Sequence, residues 1–156
     1  MNYASALRNT WRQSELSGRQ SDLRELVRFA TLAASSHNTQ PWRFVIGAHQ
    51  VAILPDFARR CAAVDPDDHH LFASLGCAAE NLVLAGQAAG LSGHVSFNAP
   101  ASEITVAFDK ATPTRSPLFD AIVTRQCTRT EYDGKALTPK QLALLEQAGR
   151  GDGVDI

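Results

Sequence analysis

Residues 65–90 read DPDDHHLFASLGCAAENLVLAGQAAG, and the fold turns on how this run is read. Asp65-Pro66-Asp67-Asp68 marks a helix start: carboxylates favour the positive end of a helix dipole, and proline tolerates the first turn. Gly90 is a C-terminal stop. Between them lie Leu71, Phe72, Leu75, Ala78, Ala79, Leu82, Val83 and Ala85, with small residues at Ser74, Gly76, Cys77, Gly86, Ala88 and Ala89. A helix that is apolar nearly all round is a buried one. The run therefore predicts the central helix of the fold, with Cys77 a small buried hydrophobe.

Upstream, Asp22 is an N-cap with Glu25 three residues on, before Leu23, Leu26, Val27 and Ala30. The spacing predicts an amphipathic helix through about Ala34. Arg43–Ile46 and Gln50–Leu54 read as strands joined by Gly47-Ala48-His49, a hairpin stopped by Pro55, with a loop over 56–64. Downstream, His94–Phe97 and Ile104–Phe108 alternate and read as strands. Lys110–Pro117 is a linker, and Leu118 to about Thr124 a short helix. Thr138-Pro139 caps a helix carrying Leu142, Leu144 and Leu145. Gly149–Gly153 is a turn, and Val154-Asp155-Ile156 the start of a strand. Strands interleaved with helices predict an α+β protein, with helices packed on a mostly antiparallel sheet around the buried helix.

The chain has 156 residues, 44% hydrophobic and 20% charged, enough for one core. Fifteen Lys and Arg against 16 Asp and Glu give no electrostatic case for nucleic acid or an acidic membrane. No apolar run is long enough to span a bilayer, and residues 1–21 read as a polar arm with Leu7 and Trp11 the main apolar exceptions. The expected location is the cytoplasm. Cys61, Cys77 and Cys127 are scattered, which argues against a disulfide framework or zinc site. Asp65, Asp67, Asp68, His69 and His70 read as a helix cap and not as a metal site. No Ser–His–Asp order supports a hydrolase.

Two loops can carry chemistry. Ala34-Ser35-Ser36-His37-Asn38-Thr39-Gln40-Pro41-Trp42 is dense in short hydrogen-bonding side chains, fixed by proline and anchored by tryptophan. It suits the polar edges of a planar ligand, although a capped turn before a strand has the same composition. Arg125-Gln126-Cys127-Thr128-Arg129 places two cations four residues apart, able to converge on a phosphate or simply to be solvated.

Ser35-Ser36-His37-Asn38-Thr39-Gln40-Pro41-Trp42 resembles the serine–asparagine–glutamine–proline–tryptophan signature of the nitroreductase family. With Arg43 following, it is similar to the Acg-like branch, in which two nitroreductase-like repeats are fused. The family's proline before the first serine is Ala34 here. Arg125 and Arg129 resemble the family's phosphate-loop arginines, with Cys127 on the serine position and Tyr132 on the aromatic. In ordinary members the phosphate loop comes first; here it follows. The resemblance therefore implies a first repeat over 22–112, and a linker and incomplete second repeat over 113–156. It also implies FMN held by Ser35, Ser36, His37, Asn38, Gln40, Arg125, Cys127 and Arg129, with no side chain acting as a catalytic acid or base. Trp42 is expected in the core. The activity implied is hydride transfer from NAD(P)H through the flavin to a nitro-aromatic, a quinone or a similar acceptor. The alternatives are a flavin-sequestering protein without turnover, or a truncated chain without a competent site. Ordinary members are homodimers, and missing second-repeat elements would favour self-association.

Overall fold

The computed structural model describes residues 22–151. They form helix α1 (Leu23–Ala30), strands β1 (Trp42–Ile46) and β2 (Gln50–Pro55), and helix α2 (His69–Ala88). Strands β3 (Leu91–Asn98) and β4 (Glu103–Lys110), then helices α3 (Pro117–Ile122) and α4 (Pro139–Gly149), follow. Single 3-10 turns occupy Ser36–Asn38 and Phe57–Arg59. The protein is α+β, with a four-stranded antiparallel sheet in the order β1-β2-β4-β3. The expected polar arm at 1–21 and terminal strand at Val154–Ile156 lie outside the described residues.

Packing divides the chain after Gln126 into two compact units. In the first, the sheet registers sort the side chains. Phe44, Ile53, Ile104 and Phe97 lie opposite one another across the four strands, as do Ile46, Val51, Val106 and Val95. Residues directly opposite share a face, so this face is the apolar one. The other carries Arg43, Thr105, Ser96 and His94. α2 lies on the apolar face, burying Leu71, Leu75, Ala78, Leu82 and Ala85. α1 adds Leu26 and Phe29, and Trp42 joins the same core at 8% exposure, as expected.

Local chemistry explains the helix limits. Asp22 Oδ1 accepts from the Arg24 amide at 3.0 Å and starts α1. α1 ends at Ala30 instead of Ala34, because the Leu32 and Ala33 amides turn back onto Phe29 and Ala30 carbonyls in three-residue turns. Gly90 stops α2 as expected, at φ +82, which only glycine adopts cheaply. β3 and β4 are each longer than the sequence suggests, paired from Leu91↔Lys110 to Asn98↔Glu103. Ser116 Oγ caps α3, and the Thr124 and Arg125 amides both return to the Ala121 carbonyl, ending that helix at Ile122. Phe119 of α3 packs its ring 5.0 Å from Phe29, so residues 116–122 belong to this core.

Two expectations about α2 are corrected. It is not buried all round: Ala73, Gly76, Cys77 and Glu80 form an exposed stripe, and Cys77 is exposed. The sheet and α1 cover only part of its circumference. By length and composition α2 could also cross a bilayer, contrary to the reading that no run could, but half of that window is buried as in a core helix.

In the second unit, Thr138 heads α4 with a reciprocal cap. Thr138 Oγ1 accepts from the Gln141 amide, and Gln141 Oε1 accepts from the Thr138 amide at 2.9 Å. α4 buries none of its residues, and Leu142, Leu144 and Leu145 remain exposed.

The two interior glycines of α2 should respond oppositely to alanine. A Cβ on Gly86 would lie 2.6 Å from Phe108 Cε1, a buried ring, so Gly86→Ala should cost about 1–3 kcal/mol. Nothing lies within 4 Å of a Cβ on Gly76, so Gly76→Ala should stabilise by roughly 0.5–1 kcal/mol. Urea midpoints moving the same way for both would contradict this packing.

Candidate functional site

The segment between α1 and β1 is held by its own short polar groups. Ser35 is extended, and its Oγ accepts from the Gln40 amide at 3.0 Å, closing the loop at its neck. The Asn38 and Thr39 amides donate to the Ser35 and Ser36 carbonyls at 3.0 and 3.1 Å. His37, Asn38 and Gln40 take left-handed backbone at φ 51, 55 and 52. Each such position costs on the order of 1–2 kcal/mol for a residue with a Cβ, somewhat less for asparagine. Backbone strain of this kind concentrates at ligand clamps.

α2 fixes where the loop sits. The Ser36 amide donates to Ser74 Oγ at 3.3 Å, and that hydroxyl donates to the His70 carbonyl at 2.6 Å. Between loop and helix lies an open cleft of about 310 Å³, at the small end for ligand sites. Ser35, Ser36 and His37 line it on one side, and His70, Ser74 and Cys77 on the other. Among the described residues, no hydrogen-bond partner takes the side chains of Ser36, His37, Asn38 or Gln40.

Asp65 supports the helical wall. Its carboxylate is 3% exposed and accepts from the His70 and Leu71 amides, both at 3.0 Å. His70 Nδ1 lies 3.3 Å from Asp65 Oδ1. Desolvation pushes the Asp65 pKa up, but the two amides and the neighbouring His70 and His69 outweigh it and hold it below the ordinary 3.8. Asp68, by contrast, stands at the N-cap position without capping, in left-handed backbone, and pairs with Arg60 at 3.0 Å.

The structure brings some expected residues together. Ser35, Ser36 and His37 share the cleft, whereas Asn38 and Gln40 are exposed on the loop. Arg125, remote in sequence, donates from Nη2 to the Leu32 carbonyl at 3.1 Å, just before the loop begins. Cys127 and Arg129 are exposed and belong to the second unit, as does Tyr132 at 89% exposure. Sequence reading missed His70, Ser74 and Cys77 as cleft residues. Their spacing of four and three residues places them on one helix face, a signal hidden because small residues there were read as packing.

No family model matches this chain, and no curated protein matches it.

Asp65 gives the site a pH signature. Its depressed pKa contributes stability that is fully present above the unfolded aspartate value and is lost as pH falls through the lower folded value. Asp65→Asn should therefore lower the thermal midpoint near neutrality, and the gap from wild type should narrow in strong acid. Equal midpoints at neutral pH would show that the carboxylate does not hold the start of α2.

Proposed function

We propose that the chain binds FMN at the Ser35–Gln40 loop and serves as a flavin oxidoreductase of the nitroreductase kind, resembling the Acg-like branch. The observation that carries this reading is the loop itself. It is strained at three positions, tied to α2 through Ser74, and carries polar side chains that the fold leaves unused beside a cleft.

The residues suit this group. A flavin ring presents carbonyl and ring-nitrogen edges, and hydroxyl, amide and imidazole groups can meet both donors and acceptors. The cleft is large enough for part of a flat ring, not for a whole nucleotide, so the phosphate must lie outside it. The bond of Arg125 to the Leu32 carbonyl, at the start of the loop, supports that role for it. Arg129 and Cys127 belong to the second unit, and the resemblance alone assigns them to the phosphate. FMN supplies the hydride chemistry, from NAD(P)H to a nitro-aromatic, quinone or similar acceptor. The chain's own contribution is to hold and orient, with no side chain needed as general acid or base. A cytoplasmic setting is in keeping with a nicotinamide donor.

FMN should be added to the purified chain, the excess removed by desalting, and the absorbance spectrum recorded. A retained flavin band is expected. Replacing both Arg125 and Arg129 with Ala should weaken binding by roughly 10–100-fold, since hydrogen bonds to charged groups contribute about 1.5–3 kcal/mol. Bleaching of the bound flavin by NAD(P)H, reversed by a quinone, separates turnover from mere storage. A chain folded by circular dichroism that retains no flavin would end the proposal.

A further inference from the structure

His70 is held more firmly than an exposed histidine needs to be. Its amide donates to Asp65 Oδ1 at 3.0 Å, and its carbonyl accepts from Ser74 Oγ at 2.6 Å. Its ring faces the same carboxylate, with Nδ1 3.3 Å from Asp65 Oδ1. Asp65 is buried and ionised at neutral pH, its pKa lying below the ordinary 3.8. Yet the His70 side chain is 62% exposed and lines the cleft that Ser35, Ser36 and His37 wall from the other side. Helix capping accounts for the two amides on Asp65 but not for the ring. A carboxylate at one ring nitrogen of a histidine fixes which nitrogen is left over. Here that is Nε2, and among the described residues no hydrogen bond takes it.

Hydride transfer to a quinone leaves a proton to be supplied. A hydride brings two electrons and one proton, whereas a quinone becomes a hydroquinone by gaining two electrons and two protons. Each turnover converts NAD(P)H, quinone and one further proton into NAD(P)+ and hydroquinone. Water can bring that proton, so no side chain is obligatory. An acid within hydrogen-bond reach of the acceptor brings it faster, typically by roughly 100–10,000-fold. Three titratable side chains line the cleft: His37, His70 and Cys77. Cys77 is a weak donor. His37 lies on the strained loop, with no partner among the described residues to set its ring. His70 has a buried carboxylate behind it, and its exposure places it at the open mouth, where an acceptor must enter.

We propose that His70 is the proton donor of this site. Its Nε2–H bond breaks as an O–H bond forms on the acceptor, and water at the mouth of the cleft reprotonates the neutral imidazole left behind. Asp65 is a positioning residue, which holds Nδ1 and so leaves Nε2 for the cleft. The inference rests on the flavin reading and adds to it the class of acceptor: one whose oxygen gains a proton with its electrons, as a quinone's does.

The test uses the full chain, loaded with FMN and desalted. Two acceptors are compared: duroquinone, which takes protons with its electrons, and ferricyanide, which takes electrons alone. In His70→Ala both amides on Asp65 remain, so flavin and helix content should be kept. The ratio of the duroquinone rate to the ferricyanide rate should fall about 100-fold. Free imidazole should restore part of that loss, which it would not do for a merely structural role. His69→Ala, one position away and outside the cleft, should behave as wild type. A second readout needs no turnover: in nitrogen NMR of the loaded wild type, added durohydroquinone should shift His70 Nε2 more than Nδ1. A chain that retains no FMN, or retains it without turnover, overturns the flavin oxidoreductase reading and this inference with it. Turnover with an unchanged rate ratio in His70→Ala, or an Nε2 signal indifferent to durohydroquinone, overturns this inference alone. If His70→Ala fails to fold, the Nε2 signal of the wild type decides.

Discussion

The carboxylate of Asp65 is the contact on which the site's geometry depends. It is nearly fully buried and takes the amides of His70 and Leu71, two of the donors that a helix start leaves without an internal partner. That fixes the residue at which α2 begins, and so the rotation of every side chain along it. Ser74, one turn further on, then has its hydroxyl at the Ser36 amide. A relay from Asp65 through the His70 segment and Ser74 to Ser36 thus sets the loop against the helix. The loop's three left-handed residues are costly, and local bonds alone do not hold such a conformation in place. The Ser36–Ser74 bond and the Arg125–Leu32 bond supply anchors from remote parts of the chain.

The same helix is pressed closely onto the sheet. Gly86 sits against the Phe108 ring, and Gly93 of β3 lies beneath Val83 and Phe108, each at distances where a Cβ would crowd its neighbour. Close approach at these two positions lets one helix cover β2, β4 and the first part of β3. The outer half of β3 meets α2 at the Phe72 ring, and Val95 and Phe97 stay exposed. The buried core and the open groove are therefore consequences of one placement of α2 on the sheet.

Much of this was legible in the sequence, and the parts that were share a cause: they are local. Asp22, Pro117 and Thr138 mark helix starts because capping needs only the next three residues. The β1–β2 hairpin and the Gly90 stop are set within a few positions in the same way. What was not legible is set by remote partners. Leu91–Gly93 lies outside the stretch that alternation marks as strand, and becomes strand because Phe108–Lys110 pairs with it. α1 stops at Ala30, not Ala34, as the chain turns toward a loop that α2 holds. Asp65 rather than Asp68 does the capping, since the chain at Asp68 is left-handed and its carboxylate faces Arg60. For the site, the loop at 35–40 stood out by composition. The wall opposite it did not, because His70, Ser74 and Cys77 are separated by residues that serve the core.

The partial exposure of α2 separates apolar composition from burial. A run with few charges signals that charge would be harmful on most sides of the helix, and full burial is only one way for that to arise. Here three uses divide the circumference. Leu75, Ala78, Leu82 and Ala85 face the sheet. Ser74 and Cys77 form the wall of the cleft beside the loop, which a long side chain there would fill. Gly76 and Ala79 floor the groove beside β3, which a long side chain there would fill. Small residues at 73, 74, 76, 77 and 79 read as tight packing in one dimension. In three dimensions they are the absence of bulk that keeps two concavities open, one on each flank of a single helix.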